Sequence, residues 1–280
     1  MSYETFAKIR KIIRIFALMN LTLLTAAIMP VILLAIYVYV QDKYEKEPFR
    51  MLLKAFFFGV LSIVPAVLME QFLSFFTPPF PVVSGIYNGY IVAGCSEELC
   101  KLLLLTWAVW KSRDFNEYFD GIVYATYVSL GFACLENIMY VFHAGDYYAA
   151  LSTSFMRALL SVPGHFLFGV AMGYYYALAR FQPERRALNL LKAFLVPMFL
   201  HGTFDSILMI PESMGANGTG LGAILFFVFI WFDIKLWKQG RKRLRHLQEL
   251  SSQQDFESGF DHHDQQPPSG NNLEHLDWNV

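Results

Sequence analysis

The sequence contains few charged residues and few cysteines, and each shortage excludes a class of protein. Only 16% of its 280 residues are charged and 55% are hydrophobic, whereas a soluble domain carries about 25% charged residues. The cysteines (Cys95, Cys100 and Cys134) are odd in number and lie in apolar stretches, which argues against a disulfide framework. Apolar runs recur at the length of about 20 residues that a membrane-spanning helix needs. The chain is therefore predicted to be a polytopic membrane protein.

The apolar runs predict an all-α fold, a polytopic transmembrane helical bundle of about seven spans. The expected spans are 16–40, 52–76, 83–110, 119–142, 158–180, 188–210 and 219–238. A basic segment (1–15) precedes the membrane-embedded domain (16–240), and a polar tail (246–280) rich in Gln, Asn, Ser and Pro follows it. Because such a tail cannot bury a core, we expect it to be disordered.

Lysine and arginine are missing from the stretches TPPFPVVSG, HAGDYYAA and PESMGANGTG, which follow the second, fourth and sixth spans. Basic residues instead occupy the loops after the third and fifth spans and the segment KLWKQGRKRLRH after the seventh. By the positive-inside rule, these basic segments and the C-terminus face the cytoplasm. The basic residues of segment 1–15 oppose this orientation for the N-terminus, so the rule leaves the side of that terminus open.

Ionisable side chains inside the predicted spans are rare and therefore informative. Seven of them are taken as candidate site residues, namely Glu97, Glu98, Lys101, Glu136, His165, His201 and Asp205. A charged side chain at the bilayer centre costs about 2.5–3.5 kcal/mol even on the gentler insertion scale. We therefore expect these side chains to face inward, where they satisfy one another or line a water-filled cavity.

Depth and spacing place these residues together. Counted inward from the cytoplasmic ends at about 1.5 Å per residue, they lie at one depth on four helices. Lys101 lies four residues after Glu97 and three after Glu98, so it can neutralise either acid on one helix face. His201 and Asp205 are also four residues apart, where a carboxylate can orient an imidazole. A functional cluster is predicted, either hydrolytic or belonging to a proton-coupled small-solute transporter.

Several stretches of the chain carry motifs in a recognisable order. EELCK (97–101) contains EExxK, DGIVYATYVSLGFACLENIMYV (120–141) contains FxxxE at Phe132 and Glu136, and HGTFDSIL (201–208) contains HxxxD. DKYEKEPFRMLLKAFFFG (42–59) and ALLSVPGHFLFGVAMGYYYALARF (158–181) accompany them. With these motifs the chain resembles the PrsW family of intramembrane proteases, which is related to the CAAX-protease and bacteriocin-processing group. The resemblance covers roughly residues 25 to 240.

The resemblance implies peptide-bond hydrolysis within or beside a bacterial inner membrane. The expected partners are the lipid bilayer and a membrane-anchored protein substrate, for example an anti-sigma factor at the first cleavage of regulated proteolysis. No nucleic acid partner is expected. A transporter is the less favoured alternative, because the chain shows no paired halves of the kind found in inverted-repeat transporters.

Hydrolysis needs an activated water, an oxyanion stabiliser and a proton donor for the leaving amine. We assign Glu97 as the general base on water, and Glu98 as the partner of Lys101, although the two glutamates can exchange roles. His165 and His201, the latter oriented by Asp205, are assigned to the carbonyl and the amine. Glu136 either joins Glu97 around the water or positions a histidine.

A zinc mechanism is the alternative to this metal-free one. Zinc could be held by His165, His201 and either Glu136 or Asp205, with Glu97 as base, since three protein ligands and a water form the usual catalytic site. The chain contains no HExxH sequence, so the helical signature of zinc proteases is absent. We therefore favour the glutamate mechanism without a cofactor.

Overall fold

The computed structural model describes residues 3–43 and 45–263, which are almost entirely helical and include no strand. The helices are α1 (Tyr3–Gln41), α2 (Phe49–Ser74), α3 (Pro81–Tyr87), α4 (Ser96–Val109), α5 (Tyr118–His143), α6 (Tyr147–Leu159), α7 (Ser161–Phe181), α8 (Arg186–Ser213) and α9 (Thr219–His263). A π-helical segment (Asn88–Cys95) joins α3 to α4. The predicted all-α helical bundle is confirmed.

Six segments of the described chain are long and apolar enough to cross a membrane. They are Ala17–Gln41, Phe49–Ser74, Tyr118–His143, Tyr147–Phe181, Pro183–Ser213 and Gly215–Gln254. They correspond to six of the seven predicted spans. The predicted span 83–110 is built instead from α3, the π-helical segment and α4, and it carries the charged residues of the EExxK motif.

Helix α5 is the centre of the bundle and is buried along most of its length. Glycines on its surface and on its neighbours let backbones approach closely, as is common where membrane helices pack. A methyl group at Gly59 of α2 would overlap the Val128 carbonyl of α5, and one at Gly131 would overlap the Phe56 carbonyl. These contacts fix α2 against α5, so the residues that α2 presents to the interior are held in register with those of α5.

The two ends of the bundle differ in charge. At one end the Arg180 guanidinium donates to the Trp110 carbonyl over 3.0 Å, and Asn116 donates to Glu45 over 2.9 Å. We call this the basic end, because the lysine- and arginine-rich loops lie there. At the opposite end the Tyr87 hydroxyl donates to the Leu73 carbonyl over 3.1 Å.

A short helix that the sequence does not predict returns the chain at the opposite end. Gly145 adopts φ of 89° directly after α5, a conformation that glycine tolerates better than other residues. The Asp146 side chain then accepts from the Ala149 backbone N–H over 2.9 Å and caps α6. The turn folds α6 back against the bundle, ahead of α7.

Helix α9 extends well past residue 246, where the sequence predicts the polar tail to begin. Leu244 and Leu247 are buried, and the Ser251 hydroxyl accepts from the Phe119 backbone N–H over 3.0 Å. Packing against the basic end therefore stabilises a segment whose composition alone favours disorder. The predicted tail from 264 to 280 lies outside the described residues.

Candidate active site

A chamber of about 1020 Å³ lies among α2, α5, α6, α7, α8 and the π-helical segment. Its inner wall includes side chains of Glu97, His165 and His201, while Ser74 and Ser213 line it at the opposite end of the bundle. The chamber therefore connects the buried polar residues with that end. Its volume is slightly above the range of about 300–1,000 Å³ that is usual for ligand-binding cavities.

Lys101 lies at the centre of the buried cluster and is fully enclosed. Its ammonium donates to Glu98 Oε1 over 2.8 Å and to Glu97 Oε2 over 3.0 Å, and lies 3.2 Å from His165 Nδ1. The first two contacts follow from the helical spacing of the EExxK motif. The third joins α4 to α7, so one ammonium ties together groups from two helices.

Each of the two histidines is held through both ring nitrogens. His201 Nδ1 lies 2.9 Å from Glu98 Oε1, and its Nε2 lies 3.2 Å from Asp205 Oδ2. His165 Nε2 lies 2.8 Å from Glu136 Oε2, opposite its Lys101 contact. The imidazole rings are 5.2 Å apart and nearly perpendicular. Both rings are therefore fixed in orientation towards the same small volume.

The structure brings all seven predicted residues into this one network. Five of them line the chamber, namely Glu97, Glu136, His165, His201 and Asp205. Glu98 and Lys101 are completely buried behind the chamber wall. The two glutamates therefore differ in access to the cavity, although they are adjacent in sequence, because neighbouring residues on a helix point about 100° apart.

Two residues that the sequence reasoning missed also reach the chamber. Arg157 of α6 donates from Nη2 to Glu136 over 2.6 Å and from Nε to Asn137 over 2.8 Å, and its guanidinium lies 4.2 Å from the Tyr140 ring centre. Glu70 of α2 lines the same cavity. Glu70 is an acid inside a predicted span, so the sequence alone could have indicated it. Arg157 lies one residue before the predicted fifth span, so the search for ionisable residues inside spans does not find it.

Four buried side chains could hold a metal ion. Glu97, Glu98, His165 and His201 each offer one ligand atom, and these atoms lie within 4.8 Å of one another. Imidazole and carboxylate ligands suit zinc. Glu136 and Asp205, the carboxylates that the sequence suggests as ligands, are not in this group. They instead contact the far ring nitrogens of the histidines, where carboxylates orient metal-binding imidazoles.

A second group of acids is buried at the basic end, between α1, α2 and α5. The Tyr124 hydroxyl donates to Glu47, and Asp120 Oδ2 accepts from the backbone N–H groups of Asn116 and Glu117 at the start of α5. Burial raises the pKa of Glu47 to about 7 and the pKa of Asp42 to about 6. Among the described residues, neither carboxylate forms an ion pair within 4 Å.

Comparisons with known proteins give a consistent result. Residues 47–232 match the model of a family described as PrsW family intramembrane metalloprotease. Protease PrsW of Geobacillus kaustophilus (strain HTA426) is 38% identical over 211 residues, which are 75% of this chain and 88% of that protein. Protease PrsW of Clostridioides difficile (strain 630) is 36% identical over 79% of this chain and 89% of its own length.

Protease PrsW of Bacillus subtilis (strain 168) is likewise 36% identical, over 78% of this chain and 95% of its own length. No solved structure matches the chain. The family match spans every residue of the buried network, from Glu97 to Asp205. The family resemblance that the motifs indicate is confirmed, and the chain belongs to the PrsW family of intramembrane metalloproteases.

Proposed function

We propose that the chain is an intramembrane endopeptidase that hydrolyses peptide bonds of membrane-anchored proteins, with Glu97 as the general base on water. The observation that carries this proposal is the chamber itself. A carboxylate and two oriented imidazoles face one cavity inside the helical bundle, and these are the groups that amide hydrolysis requires.

The asymmetry between the two glutamates supports the choice of base. Glu97 lines the chamber, whereas Glu98 is fully buried and contacts both Lys101 and His201. A general base must reach the proton that it abstracts, within hydrogen-bond distance of the water. Glu97 lines the chamber, where a water can reach it, and Glu98 serves as the fixed counter-charge that contacts Lys101 and His201.

The histidines supply the oxyanion stabiliser and the proton donor for the leaving amine. Asp205 holds His201 and Glu136 holds His165, so each ring presents a defined face to the cavity. A donor fixed in this way can stabilise the developing oxyanion without reorganising during the reaction. To act on substrate, each imidazole exchanges its contact with a chamber-lining carboxylate, Asp205 or Glu136, for a contact with the substrate. One imidazole N–H then stabilises the oxyanion, and the other imidazole, in its protonated form, gives its proton to the leaving amine. Glu97 takes a proton from the attacking water and passes it to that second imidazole, which restores both groups.

The family name implies a metal ion, and the donor set of Glu97, Glu98, His165 and His201 fits one. Zinc bound there would polarise the carbonyl and lower the pKa of a bound water. We retain the metal-free mechanism because the Lys101 ammonium already lies within 3.2 Å of Glu97 Oε2, Glu98 Oε1 and His165 Nδ1. That ammonium neutralises the two acids and competes with a second cation.

The position of the chamber suggests where cleavage occurs. The chamber lining includes Ser74, His143 and Ser213, which lie at the opposite end of the bundle. With the basic end and the C-terminus in the cytoplasm of a bacterial cell, the scissile bond enters from the outer half of the inner membrane. A single-span protein such as an anti-sigma factor, cut first on that side, is the substrate type we propose.

The test uses the purified full chain in proteoliposomes with a library of single-span proteins as substrates. The proposal predicts cleavage that incorporates one ¹⁸O atom from labelled water into the new carboxyl terminus. Chelation should leave the rate unchanged if the glutamate mechanism operates, whereas loss on chelation and recovery with zinc would establish the metal mechanism. An absence of cleavage across the library, together with solute uptake by the same liposomes, would favour the transporter alternative.

A further inference from the structure

A basic surface lies on α9 just after its apolar part. Lys238, Arg241, Lys242 and Arg245 are all exposed, and their spacing of three, one and three residues confines them to an arc of about 100° on the helix. We call these four residues the α9 basic face. In the described part of the chain none of them forms a salt bridge with an acid.

Packing of the other side of α9 fixes the direction of this surface. Leu236, Leu244 and Leu247 are buried against the bundle, and a methyl group at Gly240 would contact the Leu167 side chain. These residues lie opposite the α9 basic face around the helix. The basic side chains are therefore held pointing away from the bundle.

Neighbouring side chains place this surface at the height of a membrane–water interface. The Tyr174 hydroxyl lies 3.1 Å from His246 Nδ1, and the Arg243 guanidinium lies 5.8 Å from the Tyr175 ring centre. Lys192 of α8 lies 5.8 Å from the same ring. Tyrosines mixed with basic residues are typical of the interface belt of membrane proteins. The apolar run of α9 (221–232) precedes these basic residues in the sequence.

We propose that the α9 basic face binds the phosphate groups of anionic phospholipids. The four cations lack acidic partners, point outward and lie at headgroup height, which matches the charge and the position of such phosphates. Basic residues close to a membrane end attract anionic lipids, and arginine in addition can grip a phosphate through paired N–H donors. Long basic side chains can also extend along apolar surface to reach headgroups.

This proposal does not depend on proteolysis, so its test reads lipid directly. The full chain is reconstituted in vesicles of phosphatidylcholine and phosphatidylglycerol, extracted gently and examined by native mass spectrometry for retained lipid. The wild-type chain should retain phosphatidylglycerol in preference to phosphatidylcholine. The variant Lys238→Gln, Arg241→Gln, Lys242→Gln, Arg245→Gln should lose at least about tenfold of this preference.

A matched control removes the same number of charges elsewhere at the basic end. Lys43→Gln, Lys111→Gln, Arg113→Gln and Arg185→Gln alter four exposed residues outside α9, and this variant should retain phosphatidylglycerol as the wild type does. A second variant, Arg241→Lys with Arg245→Lys, keeps the charge and should keep most of the preference. If the fourfold variant does not fold, Lys242→Gln and Arg245→Gln alone should each give a partial loss.

Three outcomes would overturn the proposal. Equal loss in the control variant would show that net charge, not this surface, attracts the lipid. Unchanged retention in the α9 variants would show that the lipid binds elsewhere. Displacement of phosphatidylglycerol by inorganic phosphate, with no preference between the two lipids, would assign the surface to a soluble anion.

Discussion

The protein buries two groups of acidic side chains, and they are neutralised in different ways. In the chamber, Glu97 and Glu98 share the ammonium of Lys101, and Glu98 also contacts His201. At the basic end, Glu47 accepts from the Tyr124 hydroxyl, and both carboxylate oxygens of Asp42 are buried without a hydrogen-bond partner in the described chain.

The two groups differ in the presence of a cation and in their access to the chamber. Lys101 balances both chamber acids, and Glu97 borders the cavity, whereas Glu98 lies behind its wall. Glu47 and Asp42 do not line the chamber, and burial raises the pKa of Glu47 to about 7, so that a bound proton replaces a cation near neutral pH. Burial of an acid therefore does not by itself indicate catalysis, and we propose the catalytic role for Glu97 because it also borders the chamber beside a fixed cation.

The largest expected effect comes from removing the cation of the chamber. Lys101→Met leaves two buried carboxylates without their shared partner, and breaking a buried ion pair in this way costs about 3–5 kcal/mol. We expect the variant to accumulate poorly or to melt well below the wild type in detergent. Lys54→Met is the control, because Lys54 is exposed, donates to the Ala108 carbonyl over 2.6 Å and forms no salt bridge among the described residues. A melting temperature of Lys101→Met equal to that of the wild type would show that the buried acids of the chamber do not need this cation.

The second largest effect is expected from removing Arg157, the arginine that holds Glu136. Arg157→Gln removes a charge-assisted hydrogen bond of 2.6 Å to the carboxylate that orients His165. Substitution of such a supporting group typically costs 10–100-fold in activity, so we expect kcat to fall by about that factor with a smaller change in KM. Arg157→Lys keeps the charge and should recover part of kcat. An unchanged kcat in Arg157→Gln would show that Arg157 does not position the site.

The smallest effect on activity is expected at the basic end. Glu47→Gln should leave the cleavage rate unchanged, because Glu47 lies outside the chamber. Because the pKa of Glu47 is raised, the folded state binds a proton on this side chain more tightly than the unfolded state does. The contribution of this proton to the free energy of unfolding is fully present below about pH 4.5 and is lost as the pH rises through about 7.

Thermal unfolding in detergent across this pH range measures the effect. The melting temperature of the wild type should fall towards neutral pH, and that of Glu47→Gln should fall less. A pH response that is identical in the two proteins would show that Glu47 does not keep a bound proton in the fold.

The sequence predicted the helices and the buried network from two physical rules. Charges in hydrocarbon are costly, so Glu97, Glu136 and His201 had to face inward, and helical spacing paired Lys101 with its acids. Contacts between helices, such as that of Glu98 with His201, depend on the register in which the helices pack. Residue spacing along a single helix does not reveal that register. Arg157 escapes the sequence prediction because it lies on α6 (Tyr147–Leu159), most of which falls between the predicted fourth and fifth spans.

The most direct test of the account compares two identical substitutions in the two acidic groups. Glu97→Gln and Glu47→Gln each replace a buried carboxyl with an amide, and both purified proteins are assayed with one cleavable single-span substrate at equal folded concentration. We predict that Glu97→Gln lowers kcat/KM by at least about 100-fold, the scale of a lost general base, while Glu47→Gln matches the wild type. Wild-type activity in Glu97→Gln, or an equal loss in both variants, would contradict the assignment of the chamber as the catalytic site.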